Sequence, residues 1–107
     1  MAKGILMVHG APAAGRDQEF NDWYNYIHLV DIMKLAGFTA ARRFKRIDAE
    51  SDNPYLAIYE VEADDLHAAY AAIGAGVANG EVRMSDVMAF DPTPVIGLYE
   101  QVYEHEG

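Results

Sequence analysis

Residues 38–47 (FTAARRFKRI), 48–54 (DAESDNP) and 55–62 (YLAIYEVE) are the stretch from which the fold is read. The outer two segments alternate between two faces, as β-strands do. The middle segment contains the Asp, Ser, Asn and Pro residues that turns prefer. Because this connection is short, the two strands are predicted to pair antiparallel. Strict alternation would place Phe38, Arg42 and Phe44 on one face of the first strand.

Upstream of this hairpin, Gly4–Gly10 is predicted to be a strand with apolar residues on both faces, as in a central strand. After a loop with proline and glycine, Asp17 is a plausible N-cap for a helix that runs to about Leu35. Gly37 is the natural C-terminal stop for that helix.

Downstream of the hairpin, Asp64 and Asp65 are suited to cap a second helix. Residues 79–94 look irregular, and Val95–Tyr103 is predicted to be the last strand. The apolar stripe of the second helix has helical spacing and consists of Leu66, Ala69, Tyr70, Ile73 and Val77.

The predicted order is β-α-β-β-α-β, which is the ferredoxin-like α+β arrangement in one domain, residues 1–107. Right-handed crossovers place both helices on one face of the four-stranded antiparallel sheet. The other face also carries apolar residues, and a bare apolar face of this kind is an association site. We therefore expect a homodimer that joins two copies through their open sheet faces.

Composition excludes several classes of protein. Eight Lys and Arg against 17 Asp and Glu give a net charge of −9, whereas nucleic-acid binding favours a basic surface. No apolar run reaches the roughly 18–20 residues of a membrane span, and Ile5–Val8 is too short for a signal-peptide core, so a cytoplasmic protein is expected. The chain lacks cysteine, which excludes disulfides and thiolate chemistry, and its four histidines show no metal-ligand spacing.

The segment with the most chemical potential is Asn21–Asp31. On a helix, Tyr24 and His28 are i, i+4 neighbours, and His28 and Asp31 are i, i+3 neighbours. A carboxylate beside an imidazole can orient a general base, and a phenol one turn away could donate a proton or bind an oxyanion. The alternative is a partly buried histidine with Asp31 merely solvated.

This segment also resembles a known family. Trp23-Tyr24, then His28 after three residues, followed by Gly37-Phe38 and Ala41-Arg42-Arg43-Phe44, is similar to the EthD-like branch of the dimeric α+β barrel superfamily. The resemblance implies a small, dimeric, often cofactor-free domain with a cleft between sheet and helices. Relatives include muconolactone isomerases, polyketide cyclases and proteins of ether degradation, while other branches bind haem or oxidise quinol-like aromatics. The residue most often proposed for function in this family corresponds to His28.

Other residues are candidates for substrate binding. His9 ends the first strand on the face of Ile5 and Met7, and is expected to point into the cavity those residues line; a satisfied strand-end histidine is the alternative. Arg42 could clamp a carboxylate, or pair with a local acid. The remaining candidates are aromatic and could equally be core residues: Trp23 of the motif, and Tyr59 and Tyr99 in mid-sheet.

The sequence thus favours a small cofactor-independent enzyme with isomerase, cyclase or lactone-type chemistry. Its substrate would be an apolar or aromatic metabolite with an oxygen function, and His28 would move the proton. Two alternatives remain open at this point. One is a non-catalytic dimer that binds a small ligand, and the other is a haem- or oxygen-dependent monooxygenase of the same superfamily.

Overall fold

A computed structural model describes all 107 residues and contains one four-stranded sheet. All neighbouring strands are antiparallel, in the order β2-β3-β1-β4. The predicted ferredoxin-like α+β fold is therefore confirmed. The elements in chain order are β1 (Ala2–Gly10), α1 (Asp17–Trp23), a π-helical turn (Tyr24–His28), α2 (Leu29–Ile32), β2 (Phe38–Lys45), β3 (Tyr55–Ala63), α3 (Leu66–Asn79) and β4 (Val95–Glu100).

The start of α3 follows the predicted chemistry. The side chain of Asp65 accepts a hydrogen bond from the backbone N–H of Ala68 at 3.1 Å, which satisfies one free donor of the first turn. Gly80 ends the helix in the left-handed conformation, with φ of 85°.

The first helix differs from the prediction in its boundaries and its interior. It begins at Asp17 itself, so Arg16 is the cap, and no side chain caps it. It ends at Ile32 rather than near Leu35. The π turn interrupts it, and there the backbone N–H of Leu29 donates to the carbonyl of Tyr24. This i to i+5 bond is the mark of a π turn, a feature often found at functional sites.

The core lies between the helices and one face of the sheet. That face presents Leu6, Tyr59 and Val61, and the first helix packs Phe20 and Ile32 against them. All five side chains are almost completely buried. Burial of each contributes about 1.5–3 kcal/mol, which makes this layer the principal source of stability.

A β-bulge between Phe38 and Ala40 changes which side chains of β2 face the helices. Phe38 lies opposite Val61, whereas Arg42 lies opposite Ile58, and these two β3 residues occupy opposite faces. The prediction that Phe38 and Arg42 share a face is therefore wrong. The extra residue of the bulge turns Arg43 rather than Arg42 toward the helices.

The second face of the sheet is covered by no element of this chain. Ile5, Met7 and Ile58 lie at its centre, and the more exposed Phe44 and Tyr99 lie on the outer strands. Homodimerisation through this face stays a prediction.

The long connection between α3 and β4, residues 80–94, is irregular as predicted, yet it is firmly attached. Its Val87 carbonyl accepts from the N–H of Ala13 at 2.7 Å, and the N–H of Ala89 donates to the carbonyl of Ala11 at 2.9 Å. Val82 near its start is 1% exposed. The connection thus forms a fixed wall beside the sheet. None of the helices combines the length and the apolarity needed to cross a bilayer.

Candidate functional site

A cavity of about 150 Å³ lies between the sheet, the helices and the 80–94 connection. Twelve of its fourteen lining residues are hydrophobic. A cavity of this size in an apolar protein interior is large enough to hold benzene, so the site suits a ligand with one small ring. The lining consists of Leu6, Val8, Tyr59 and Ile96 from the sheet, Tyr24, His28 and Ile32 from the first helix, Tyr70, Ile73 and Val77 from α3, and Met84, Met88, Phe90 and Pro94 from the connection.

His28 lines this cavity as a buried, neutral imidazole. It is 7% exposed, its ring stacks on Trp23 at 4.6 Å between centroids, and its Nδ1 is buried without a hydrogen-bond partner. Burial lowers the pKa of His28 below its ordinary value of 6.5, and this outweighs the Arg83 backbone and the Asp31 charge, which raise it. At neutral pH the ring is therefore uncharged and keeps one nitrogen as a proton acceptor.

Two phenols stand beside the imidazole. The hydroxyl of Tyr59 donates to that of Tyr24 at 3.3 Å, and the ring of Tyr24 meets His28 edge-on at 5.1 Å. Burial raises the pKa of both tyrosines, so both are protonated at neutral pH. Since the Tyr59 hydrogen lies between the two oxygens, the Tyr24 hydrogen remains free for a ligand oxygen.

Asp31 has a different position from the one expected. Its carboxylate, 3% exposed, accepts three hydrogen bonds of 2.9–3.0 Å from Arg83, two from the guanidinium and one from the backbone N–H. These bonds lower the pKa of Asp31 to about 2, and none of its hydrogen bonds goes to His28. Asp31 therefore fastens the 80–94 connection to the first helix. The separation of 52 positions between the two partners explains why local spacing did not indicate this pair.

Trp23 lies behind the imidazole rather than in the cavity wall. It is buried, stacks on His28, and its Nε1 has no hydrogen-bond partner. The prediction of direct substrate contact does not fit this position. Trp23 instead holds the plane of the His28 ring.

Three further candidates lie away from the cavity, on the uncovered face. Leu6 and Val8 face the helices, so alternation along β1 sends His9 to the opposite side, where it lines a groove with Phe44. Tyr99 lies opposite Ile5 on this same face. Arg42 forms an ion pair with Glu60 at 3.0 Å. It thus pairs with a local acid, which was the alternative to clamping a carboxylate of the substrate. Of the sheet candidates, Tyr59 alone joins His28 and Tyr24.

Sequence reasoning missed Arg43. Its Cζ lies 4.4 Å from the centroid of the Tyr24 ring, and its Nη1 donates to Asn21 and Asn25 at 2.9 Å each. A usable signal was present, because Asn21 and Asn25 are i, i+4 neighbours that flank Tyr24 with two amide acceptors. The bulge in β2, however, could not be seen in the sequence.

The side chains around the cavity limit which metal ions or cofactors could bind there. No cluster of three or more His, Cys, Asp or Glu side chains is arranged to ligate a metal ion. A haem has four pyrrole rings around its iron, whereas a cavity volume of about 150 Å³ matches one small ring. The volume of this cavity therefore suits a one-ring ligand better than a haem.

Similarity to known proteins is limited in sequence and extensive in structure. No family model matches the chain. Over 46 residues, 43% of the chain, it is 39% identical to core atranone cluster (CAC) protein 1 of Stachybotrys chlorohalonatus, and the match spans about a fifth, 20%, of that protein's length.

Two solved structures superpose on nearly the whole chain. One is a candidate monooxygenase from Shewanella loihica PV-4, with a TM-score of 0.64, 11% identity, and coverage of 97% of this chain and 99% of that one. The other is an ethyl tert-butyl ether degradation (EthD) family protein from Bacillus halodurans C-125, with a TM-score of 0.63, 17% identity, and coverage of 95% and 100%. The protein shares its ferredoxin-like fold with both of these proteins.

Proposed function

We propose that this protein is a small cofactor-independent enzyme that moves a proton on a compact, apolar or aromatic metabolite bearing an oxygen. One observation carries the proposal. A neutral imidazole, His28, and an unpaired phenol hydrogen, on Tyr24, lie side by side in the wall of an otherwise apolar cavity. A base next to an oxygen-binding donor is the minimum equipment for proton abstraction beside a carbonyl.

In this mechanism, His28 accepts a proton from the ligand carbon next to a carbonyl group. The electron pair of the broken C–H bond moves toward the carbonyl oxygen, which becomes an enolate oxygen. Tyr24 donates a hydrogen bond to that oxygen, and Tyr59 supports Tyr24 from behind. The proton then returns from His28 to the same or another ligand carbon, so isomerisation, ring closure and lactone rearrangement all begin alike.

The apolar wall supports this chemistry in two ways. It excludes water, so a hydrogen bond to a developing negative charge counts for more than it would in solution. It also keeps His28 uncharged, which a base requires before the reaction starts. A histidine with its ordinary pKa would be partly protonated near pH 6.5.

Deuterium exchange tests the proposal without knowledge of the natural substrate. Five- and six-membered cyclic ketones and lactones are incubated with the protein in D₂O, and uptake at the carbon beside the carbonyl is followed by NMR. We expect catalysed uptake on at least one ring, and loss of about 10²–10⁴-fold in His28→Gln, the range that general acid–base catalysis supplies.

His9→Gln is the matched control, because His9 lies on the other face of the sheet. It should exchange at the wild-type rate. Equal exchange rates in wild type and His28→Gln would refute the role of His28. Exchange that proceeds only in air would instead favour an oxygen-dependent reaction.

A non-catalytic binder is the second candidate, because twelve apolar lining residues form a ligand cavity whether or not chemistry follows. Such a protein would shift the NMR signals of a ring ligand without exchanging its protons. Its affinity would also stay constant between pH 5 and 8, since no titrating group would act on the ligand.

Two copies associate through the uncovered face in this proposal. The support is the apolar centre formed by Ile5, Met7 and Ile58, together with edge charges that are already satisfied within each chain, Arg42 by Glu60. Association removes this apolar area from water. Exposed apolar patches of this kind mark surfaces at which proteins associate.

A further inference from the structure

Arg43 differs from the other four arginines of the chain in having no carboxylate partner. The shortest ion pairs of the others span 2.7–3.0 Å and join Arg16 to Glu19, Arg42 to Glu60, Arg46 to Asp48 and Arg83 to Asp31. In a chain with a net charge of −9, a carboxylate for Arg43 would be easy to supply. Its absence leaves a full positive charge beside the candidate site.

The groups that the Arg43 guanidinium contacts are neutral, and the other cation nearby is Lys45, whose Nζ lies 5.8 Å from the Tyr55 ring centroid. The guanidinium lies 4.4 Å from the Tyr24 ring centroid, 5.3 Å from that of Phe20 and 5.4 Å from that of Tyr55. Its Nη1 hydrogen bonds end on the amide oxygens of Asn21 and Asn25, and its Nη2 is buried without a partner. Amides and rings hold the cation in place, but they do not cancel its charge.

We propose that Arg43 is a positioning residue that acts through Tyr24, making its hydroxyl a stronger hydrogen-bond donor to a negatively charged ligand oxygen. The inference rests on the proposed function and names the group that its oxygen-binding tyrosine depends on. Arg43 does not line the cavity, so it acts through the ring and not by contact with the ligand.

The physical reason is electrostatic. A cation at the face of a phenol attracts electron density from the ring and the oxygen, so the O–H hydrogen becomes more positive. The charge of Arg43 indeed opposes the burial that raises the pKa of Tyr24. Because the surroundings are largely apolar, this attraction is screened less than it would be in water. A neutral ligand gains little from it, whereas an oxyanion gains much.

The test uses 4-nitrophenol, a one-ring probe whose phenolate absorbs visible light and whose oxygen imitates an enolate. Titration of the bound probe gives its pKa, which reports directly how the site favours the charged over the neutral form. We expect Arg43→Met to raise the pKa of the bound probe by about one unit, which is a tenfold loss of preference for the phenolate. Arg43→Gln should do the same, and Arg43→Lys should restore most of the wild-type value.

Other groups that titrate near the probe must be held constant. The ionisable groups around Tyr24 are His28 on the same helix, Tyr59 and Tyr55 on β3, and Tyr70 across the cavity on α3. Repeating the titration in a His28→Gln background removes the one group of this set whose ordinary pKa lies near neutral pH. The matched control is Arg42→Met, which removes an equal charge one residue away on the opposite face.

Each outcome has one meaning. A raised probe pKa in Arg43→Met and Arg43→Gln, with no change in Arg42→Met, supports the inference. If the Arg43 variants weaken binding of the neutral and the ionised forms of 4-nitrophenol equally, the pKa of the bound probe stays constant. The role of Arg43 is then only structural, and the inference is refuted. If wild type binds no 4-nitrophenol, the ring cavity of the proposed function fails first, and the inference fails with it. Two neutral variants guard against one that does not fold.

Discussion

Two glycines in α3, two residues apart, should respond to alanine with opposite signs. A Cβ at Gly74 meets no atom within 4 Å, whereas a Cβ at Gly76 would lie 2.7 Å from Cγ2 of Val82. Replacing an exposed helical glycine by alanine stabilises by about 0.5–1 kcal/mol. At Gly76 that gain remains, but Val82 is 1% exposed and β-branched, and overpacking costs about 1–3 kcal/mol. Gly76→Ala should therefore destabilise by roughly 0.5–2 kcal/mol.

Urea unfolding of the wild type, Gly74→Ala and Gly76→Ala at one protein concentration measures this directly. The two variants should differ by roughly 1–3 kcal/mol, which is the overpacking cost alone. This corresponds to several degrees in Tm at about 4 °C or more per kcal/mol. The backbone N–H of Val82 donates to the carbonyl of Gly76 at 2.9 Å, so the strain enters the cavity wall as well. Affinity for a ring ligand should fall in Gly76→Ala alone. Equal stabilisation by both substitutions would refute the close approach of Val82 to α3.

Three other expectations concern charge. Since the pKa of Asp31 is lowered to about 2, the stability that this carboxylate provides is complete above its pKa in the unfolded chain, near 3.8, and is lost as the pH falls toward 2. Unfolding free energies measured from pH 2 to 5 should show this loss in wild type and not in Asp31→Asn. His28 is buried without a charged partner of its own, and its pKa is lowered, so the unfolded chain takes up a proton at a higher pH than the folded chain does. Wild type should therefore lose stability relative to His28→Gln as the pH falls below 6.5. Parallel stability curves for the two proteins would contradict a buried neutral ring. Met7→Glu places a charge at the centre of the uncovered sheet face and should yield monomers in native mass spectrometry. Ala71→Glu, on the exposed side of α3, should leave the dimer unchanged. An unaltered mass distribution in Met7→Glu would argue against a dimer interface on this face.

The element order could be predicted because it depends on local signals. Alternation in β3 and the Asp65 cap each act within a few residues, and both are present in the structure. Faces could be predicted only where the alternation is unbroken. Along β3 the unbroken alternation places Tyr59 with the other buried residues of that strand, while one extra residue in β2 exchanges Arg42 and Arg43.

The site was harder to predict because its contacts connect distant residues. Tyr24 and His28 are neighbours on one helix, so their spacing indicated their contact. The partner of Asp31 lies 52 residues away in an irregular segment, and no periodicity marks it. His9 was assigned to the cavity because Ile5 and Met7 were expected to line it, and two-sided apolarity in a central strand gives no indication of which face the helices cover.

The π turn makes the length of this segment, and not only its composition, a determinant of how Tyr24 and His28 are arranged. It fits one more residue between Tyr24 and Leu29 than an α-helical hydrogen bond would enclose. Deleting one residue there, such as the exposed Tyr26, would let the helix close with ordinary bonds and leave α1 and the sheet intact. It would also rotate everything before it relative to His28, and so separate the base from the phenol. The loss of one residue here would thus rearrange the cavity wall in a way that no substitution does.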